Sequence, residues 1–152
     1  MLREFHAESH ELTIHTDLRT PKVEEMRRTP GAQCVFWDPS RELQLRLSGD
    51  VSVHGGDELA RVAWEGVDLA GRFSYLTDSP PSGDIDRPTS GREGMDGRVP
   101  TPEEAAFGWD NFAVLVLKLK EIDWVLLDNA GHRRAKFAFD DHGLMEATWL
   151  IP

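Results

Sequence analysis

The sequence predicts a mainly β fold, an antiparallel barrel with short peripheral helices, and three observations carry that prediction. In the stretch Gln33–His54, Leu43, Leu45, Leu47, Val51 and Val53 alternate with Gln44, Arg46, Ser48, Asp50 and Ser52, the period-two pattern of a strand with one buried face. Just before it, apolar Val35 to Trp37 runs into Asp38-Pro39-Ser40, an Asp that can bond its own backbone and a Pro with fixed φ, so the two runs form a hairpin. The whole chain offers about six strand-like segments, few helices and a Greek-key-like order.

The elements follow in order. Glu11 to Thr16 alternates Leu12 and Ile14 against Thr13 and His15, a strand. Thr20-Pro21 opens a short helix, with a hydroxyl at the N-cap and Pro at the first helical position, and Thr29-Pro30-Gly31 ends it near Arg28. Gly49 sits in the middle of the second hairpin strand, where either a bulge or a close backbone approach explains a missing side chain. Asp57 caps a helix over Glu58 to Glu65 with Leu59, Val62 and Ala63 on one stripe. Arg72 to Leu76 fits a short helix or an extended piece equally.

From Thr77 to Phe107, five prolines, four glycines and many Ser and Asp mark a flexible loop, with disorder expected from Ser82 to Arg98. Thr101-Pro102-Glu103-Glu104 is a capping box for a turn or two of helix at its end. Asn111 to Leu119 is apolar on both faces, hence a central strand. Ile122 to Leu127 is its continuation after a bend, or the next strand. Arg133 to Phe139 alternates again after a turn at Asn129 to Gly131, and Met145 to Ile151 is the last strand.

Composition limits the function. A chain of 152 residues is most simply one domain, able to bury roughly 70% of its unfolded surface without staples. The one cysteine, Cys34, lies in an apolar strand and reads as a small buried hydrophobe in a reducing cytoplasm. No segment has the pattern of a signal peptide or a membrane span, so a soluble, cytoplasmic protein is expected. A net charge of −10 repels nucleic acid and anionic membrane alike. Basic residues gather in two places, Arg19–Arg28 and His132–Lys136, which suits a small anionic ligand and equally suits two solvated helix or strand ends.

Motif chemistry is sparse. His6 and His10 are four apart but lie in a polar segment without ligand spacing, and no metal site is expected among the six histidines. There is no GxSxG, no phosphate-binding P-loop and no GxGxxG after a strand. One residue is misplaced. Lys22 puts a cation in the first helical turn, against the helix dipole at a cost of about 0.3–1 kcal/mol, and Arg19 just before it adds to this. A bound anion would reverse the sign: free N–H groups, the hydroxyls of Thr16 and Thr20 and the two cations make a phosphate cradle. A stray surface lysine is the rival reading.

HTDLRTPKV (His15 to Val23), RELQLRLSGDVSV (Arg41 to Val53), NFAVLVLKLKEIDWVLL (Asn111 to Leu127), HRRAKF (His132 to Phe137) and EATWLIP (Glu146 to Pro152) resemble, in order and spacing, the pyridoxamine 5'-phosphate oxidase-related FMN-binding proteins. The resemblance implies an antiparallel split β-barrel of the FMN-binding type and a homodimer with FMN at the subunit interface. It places Arg3 at the end of a flavin-contacting strand, His15 and Thr16 just after it, and Thr20 and Lys22 in the phosphate-binding stretch. Gln44 matches the glutamine that reaches the isoalloxazine ring. Trp124 or Val125 falls where the family has a ring-contacting tryptophan, and Lys136 where it has an arginine.

The departures are informative. The family opens with a helix and about two strands before the position of Arg3, and these are not in the sequence. Ala63, Trp64 and Val67 stand where a pyridoxamine phosphate oxidase has its Tyr and Arg, and His132 and Arg134 offer its closing Arg-x-His in reversed order. Vitamin B6 oxidation is therefore not expected. What is expected is an FMN-dependent oxidoreductase of unidentified substrate. The alternatives are a dimeric binding or regulatory module without flavin chemistry and a haem-binding split barrel.

Overall fold

The structure, a computed structural model, describes residues 1–92 and 98–152. Seven strands and a few short helices follow one another as β1 (Leu2–His6), β2 (Glu11–Asp17), α1 (Pro21–Arg28), β3 (Gly31–Asp38), β4 (Leu43–His54), α2 (Glu58–Glu65), α3 (Leu69–Arg72), α4 (Pro102–Ala106), β5 (Phe112–Leu126), β6 (Arg133–Asp140) and β7 (Gly143–Leu150). The strands hydrogen-bond in the order β1-β2-β5-β4-β3, with β6 on β5 and β7 on β6, and the path does not close. The mainly antiparallel β class read from the sequence is the class observed. β1 has no counterpart in the period-two reading, because all five of its residues are exposed and no hydrophobic alternation marks it.

The hairpin forms as predicted. β3 and β4 pair antiparallel from Gly31↔Asp50 to Asp38↔Leu43 without a break, so Gly49 is not a bulge. A Cβ there would press into the Lys118 carbonyl, 2.8 Å from its carbon and 3.0 Å from the Leu119 Cα. Close backbone approach is the reason for the glycine. β5 runs unbroken for 15 residues, which settles Ile122 to Leu127 as a continuation; its second part, Glu121 to Leu126, pairs with β6.

The chain divides into two compact units, each assembled from separated stretches. The first holds Met1–Arg3, Thr13–Thr29 and Ser52–Val116. Its core is Ala60, Trp64, Val67, Tyr75, Phe112 and Val114, with the rings of Trp64, Tyr75 and Phe112 in mutual contact at centroid distances of 5.0–5.8 Å. The stripe on α2 differs from the predicted one. Ala63 of the predicted stripe packs partly buried against this core, but Ala60 and Trp64 are the buried residues and Leu59 and Val62 stay 40% and 58% exposed, because the large indole takes the inward position. The stretch Arg72 to Leu76, ambiguous in sequence, takes the helical alternative: Arg72 ends α3 and Phe73–Tyr75 form one 3-10 turn.

The second unit holds Glu4–Leu12, Pro30–Val51 and Leu117–Pro152, and buries Leu12, Leu47, Val51, Leu117, Leu119 and Ala135. In the stretch 77–107, Asp78 N–H donates to Gly91 O at 3.1 Å, and the predicted capping box at Thr101 and Glu104 is present at the start of α4. The disorder expected over 82–98 falls in part on residues 93–97, outside the described residues. Among the described residues no helix is long and apolar enough to cross a membrane.

Candidate functional site

The turn between β2 and α1 is built on Asp17, whose side chain is 6% exposed. Its Oδ1 accepts the Arg19 backbone N–H at 2.9 Å, and its carbonyl accepts the Thr20 N–H at 3.2 Å and the Thr20 hydroxyl at 2.8 Å. Thr20 is the N-cap of α1 in backbone terms only: its hydroxyl is turned away to Asp17, and no side chain caps the helix. Pro21 has no N–H to give, and Val23 N–H closes onto Thr20 O at 3.0 Å. The start of α1 thus has no side-chain cap, and Glu24 is the acidic residue that its first turn sets against the positive end. Lys22, in that first turn, is exposed, and among the described residues it forms no ion pair.

Arg19 behaves differently from Lys22. Its Nε and Nη2 donate to the two Asp17 carboxylate oxygens at 3.1 and 2.8 Å, and its Nη1 and Nη2 donate to Thr77 O and Thr77 Oγ1 at 3.0 and 2.8 Å. The Asp17 bond raises the guanidinium's pKa and fixes it as a cation. Its fork is spent on holding the first residue of the long loop to the β2–α1 turn.

The first unit also holds a cleft of about 420 Å³, within the size range of ligand sites, lined by Arg3, His15, Val67, Asp68, Gly71 and Ser74 among others. Arg3 donates Nε–H to Nδ1 of His15 at 3.2 Å. His15 was placed on the polar face of its strand, yet it is only 9% exposed, with its ring edge-on to Phe112 at 4.9 Å. Burial first, then the Arg3 charge and the amino terminus, push its pKa down to about 4. The ring is neutral at pH 7, and because Nδ1 accepts from Arg3, the proton sits on Nε2. Thr16, the next residue, is buried beside it in sequence at 6% exposure. Burial also raises the Tyr75 hydroxyl's pKa, with Arg3 acting against it.

The remaining predicted residues lie in the second unit. Gln44 is half-buried in β4 opposite Trp37. Trp124 meets Trp149 edge-on at 6.2 Å, and Val125 pairs with Arg134 across β5 and β6. Arg134 is drawn onto Asp123, Nε and Nη2 each at 2.9 Å, and Arg46 adds Nη2 at 2.7 Å to the same carboxylate. These bonds, the Arg134 bond foremost, hold Asp123 below the usual carboxylate range. Lys136 is paired with Glu121, and exposed His132 accepts the Asp128 N–H on Nδ1 at 3.2 Å. Within the first unit, then, the structure brings Arg3 to His15, and sets Thr20 and Lys22 at the helix start.

Sequence reasoning missed Asp17, Thr77 and Asp123. The Asp17-x-Arg19 spacing of an Asx turn was a usable signal for Asp17. Thr77 meets Arg19 over a sequence separation of 58 residues and Asp123 meets Arg46 over 77, which no local pattern encodes, while Arg134 reaches Asp123 across the β5–β6 pairing.

Residues 1–55 match the family model described as pyridoxamine 5'-phosphate oxidase, FMN-binding domain. Among solved structures, a pyridoxamine 5'-phosphate oxidase-related, FMN binding protein from Nostoc punctiforme superposes with a TM-score of 0.78 at 20% identity, over 99% of this chain and 78% of that one. PhzG from Burkholderia lata, in complex with tetrahydrophenazine-1-carboxylic acid, superposes with a TM-score of 0.70 at 17% identity, over 99% of this chain and 72% of its own. No curated protein matches the sequence. Over residues 1–55 the sequence signature, and over nearly the whole length the fold, are those of the pyridoxamine 5'-phosphate oxidase-related FMN-binding proteins.

Proposed function

We propose that this chain is an FMN-binding flavoprotein, an oxidoreductase of the pyridoxamine 5'-phosphate oxidase-related type whose substrate is not identified. The observation that carries the reading is the start of α1: a helix end without a side-chain cap, and a first-turn Lys22 that among the described residues forms no ion pair. The residues present fit a dianionic phosphate. The helix amides and Lys22 would hold it, Thr16 and Thr20 would shape the turn around it, and Arg19, fixed by Asp17, would add a standing positive charge. Bound flavin would supply hydride or electron transfer through its N5. The chain's own residues bind, orient and tune.

Neutral His15, with its proton on Nε2, is a hydrogen-bond donor that stays uncharged across the physiological range, and Arg3 is the cation beside it. Gln44, Trp124, Val125 and Lys136 are assigned to the ring, and His132 and Arg134 to the substrate, on the family resemblance. Trp64 and Val67, which stand where a pyridoxamine phosphate oxidase has its phosphate-holding groups, are core residues 8% exposed, which supports a substrate other than a B6 phosphate.

A homodimer belongs to the same reading. Strand β7 exposes Leu144, Met145 and Trp149 at 56%, 66% and 73%, and β3 exposes Val35 and Trp37 at 60% and 50%, apolar surface that a second copy would cover. The free Cys34 supports a reducing, cytoplasmic setting. The rival reading, a dimeric module without flavin chemistry, draws on Arg19, whose donors are already engaged. A visible spectrum of the purified protein, alone and after mixing with FMN, separates the two. The flavoprotein reading expects flavin bands that stay with the protein on gel filtration; loss of all flavin on that column overturns it.

A further inference from the structure

Outside the flavin site, one cluster has an arrangement of its own. Ser52 and His54 are two apart in β4, so strand periodicity sets both on one face. The chain then leaves the strand through Gly55 and Gly56, the latter at φ +74°, and returns with Asp57 as the N-cap of α2. The three side chains join end to end: Ser52 Oγ to His54 Nε2 at 2.8 Å, and His54 Nδ1 to Asp57 Oδ2 at 2.8 Å.

The direction of each bond follows from charge. The Ala60 N–H on Oδ1 at 2.9 Å, and then the His54 bond, hold the Asp57 carboxyl below its usual range. An ionised carboxylate only accepts, so His54 Nδ1 must donate, and in the neutral ring Nε2 is left as the acceptor of the Ser52 hydroxyl proton. That is the order of roles in a nucleophile, a base and an orienting acid. Capping α2 requires Oδ1 alone and leaves Oδ2 to orient the imidazole. Ser52 is exposed, the His54 and Asp57 side chains are 26% and 47% exposed, and a Cβ at Gly56 would meet nothing within 4 Å.

We infer that Ser52, His54 and Asp57 form a second reactive centre, a serine nucleophile for small activated acyl esters. The array lies at the surface, so the class it takes is short acyl groups with good leaving groups rather than a substrate needing deep enclosure. Ser52 Oγ attacks the ester carbonyl carbon as its proton passes to His54 Nε2. The bond from carbon to the leaving oxygen breaks, and that oxygen takes the proton from His54. A water, giving its proton to His54, then cleaves acyl-Ser52, and the proton returns to Ser52 Oγ as the carboxylic acid leaves. Asp57 stabilises the imidazolium formed in each half.

The test is labelling of the full-length protein with a fluorophosphonate probe, which bonds phosphorus to a reactive serine Oγ and expels fluoride, alongside hydrolysis of p-nitrophenyl acetate. The expected result is a label mapped to Ser52, no label there in Ser52→Ala, and a loss of about 100-fold in both rates in His54→Gln. Asp57→Asn should slow both, and if it disturbs α2, His54→Gln decides. A label on another residue, or rates in His54→Gln equal to the parent protein's, overturns the inference, and either result leaves flavin binding untouched.

Discussion

Arg3 donates its Nε–H to Nδ1 of His15 across 3.2 Å, and the histidine is held neutral first by its burial and then by this cation beside it. The consequence is a pH dependence with a fixed sign. The folded-state pKa is about 4 against an ordinary value of 6.5, so between these two values the unfolded chain binds a proton that the folded chain refuses. Stability should therefore fall as pH drops from 6.5 towards 4 and level off below, by up to about 3 kcal/mol. Urea midpoints at pH 7 and pH 5 measure it. His15→Gln should flatten this part of the profile; an unchanged slope would show that His15 is not the group responsible.

The second relationship is the fork of Arg19 between Asp17 and Thr77. Arg19→Lys keeps the charge but has no planar fork, and should cost about 1–3 kcal/mol while speeding proteolysis next to Thr77. Its effect on flavin affinity should be smaller than that of Lys22→Ala. Limited proteolysis with mapping of the cut sites tests the first part, and an unchanged cleavage pattern would remove Arg19 from its anchoring role.

Gly49 and Gly31 make a controlled pair, partners of neighbouring positions in one hairpin. Gly49→Ala drives a methyl into the Lys118 carbonyl and should destabilise by about 1–3 kcal/mol or more, whereas nothing lies within 4 Å of a Cβ at Gly31 and Gly31→Ala should stay within about 0.5 kcal/mol. Thermal melts of the two variants give the comparison. Equal effects would contradict the close approach.

What was legible in the sequence was whatever local chemistry encodes. The β3–β4 hairpin, the bounds of α1 and the Thr101–Glu104 capping box followed from periodicity and cap residues, and Lys22 stood out because a first-turn cation opposes the dipole. What depends on tertiary contact was not legible. β1 carries no buried face, α2 turned on the volume of Trp64, and His15 is buried by Phe112, nearly a hundred residues away in the chain. Arg19 shows the limit best: its sequence neighbours suggest a phosphate ligand, while Thr77, remote in sequence, claims its donors.

The central claim is that the start of α1 holds the phosphate of FMN, and titrating parent and Lys22→Ala protein with FMN and with riboflavin tests it most directly. The account predicts that Lys22→Ala weakens FMN by about 10- to 100-fold, the worth of a charged hydrogen bond, and leaves riboflavin, which has no phosphate, within about 3-fold. Equal losses for both ligands, or none for FMN, would contradict it.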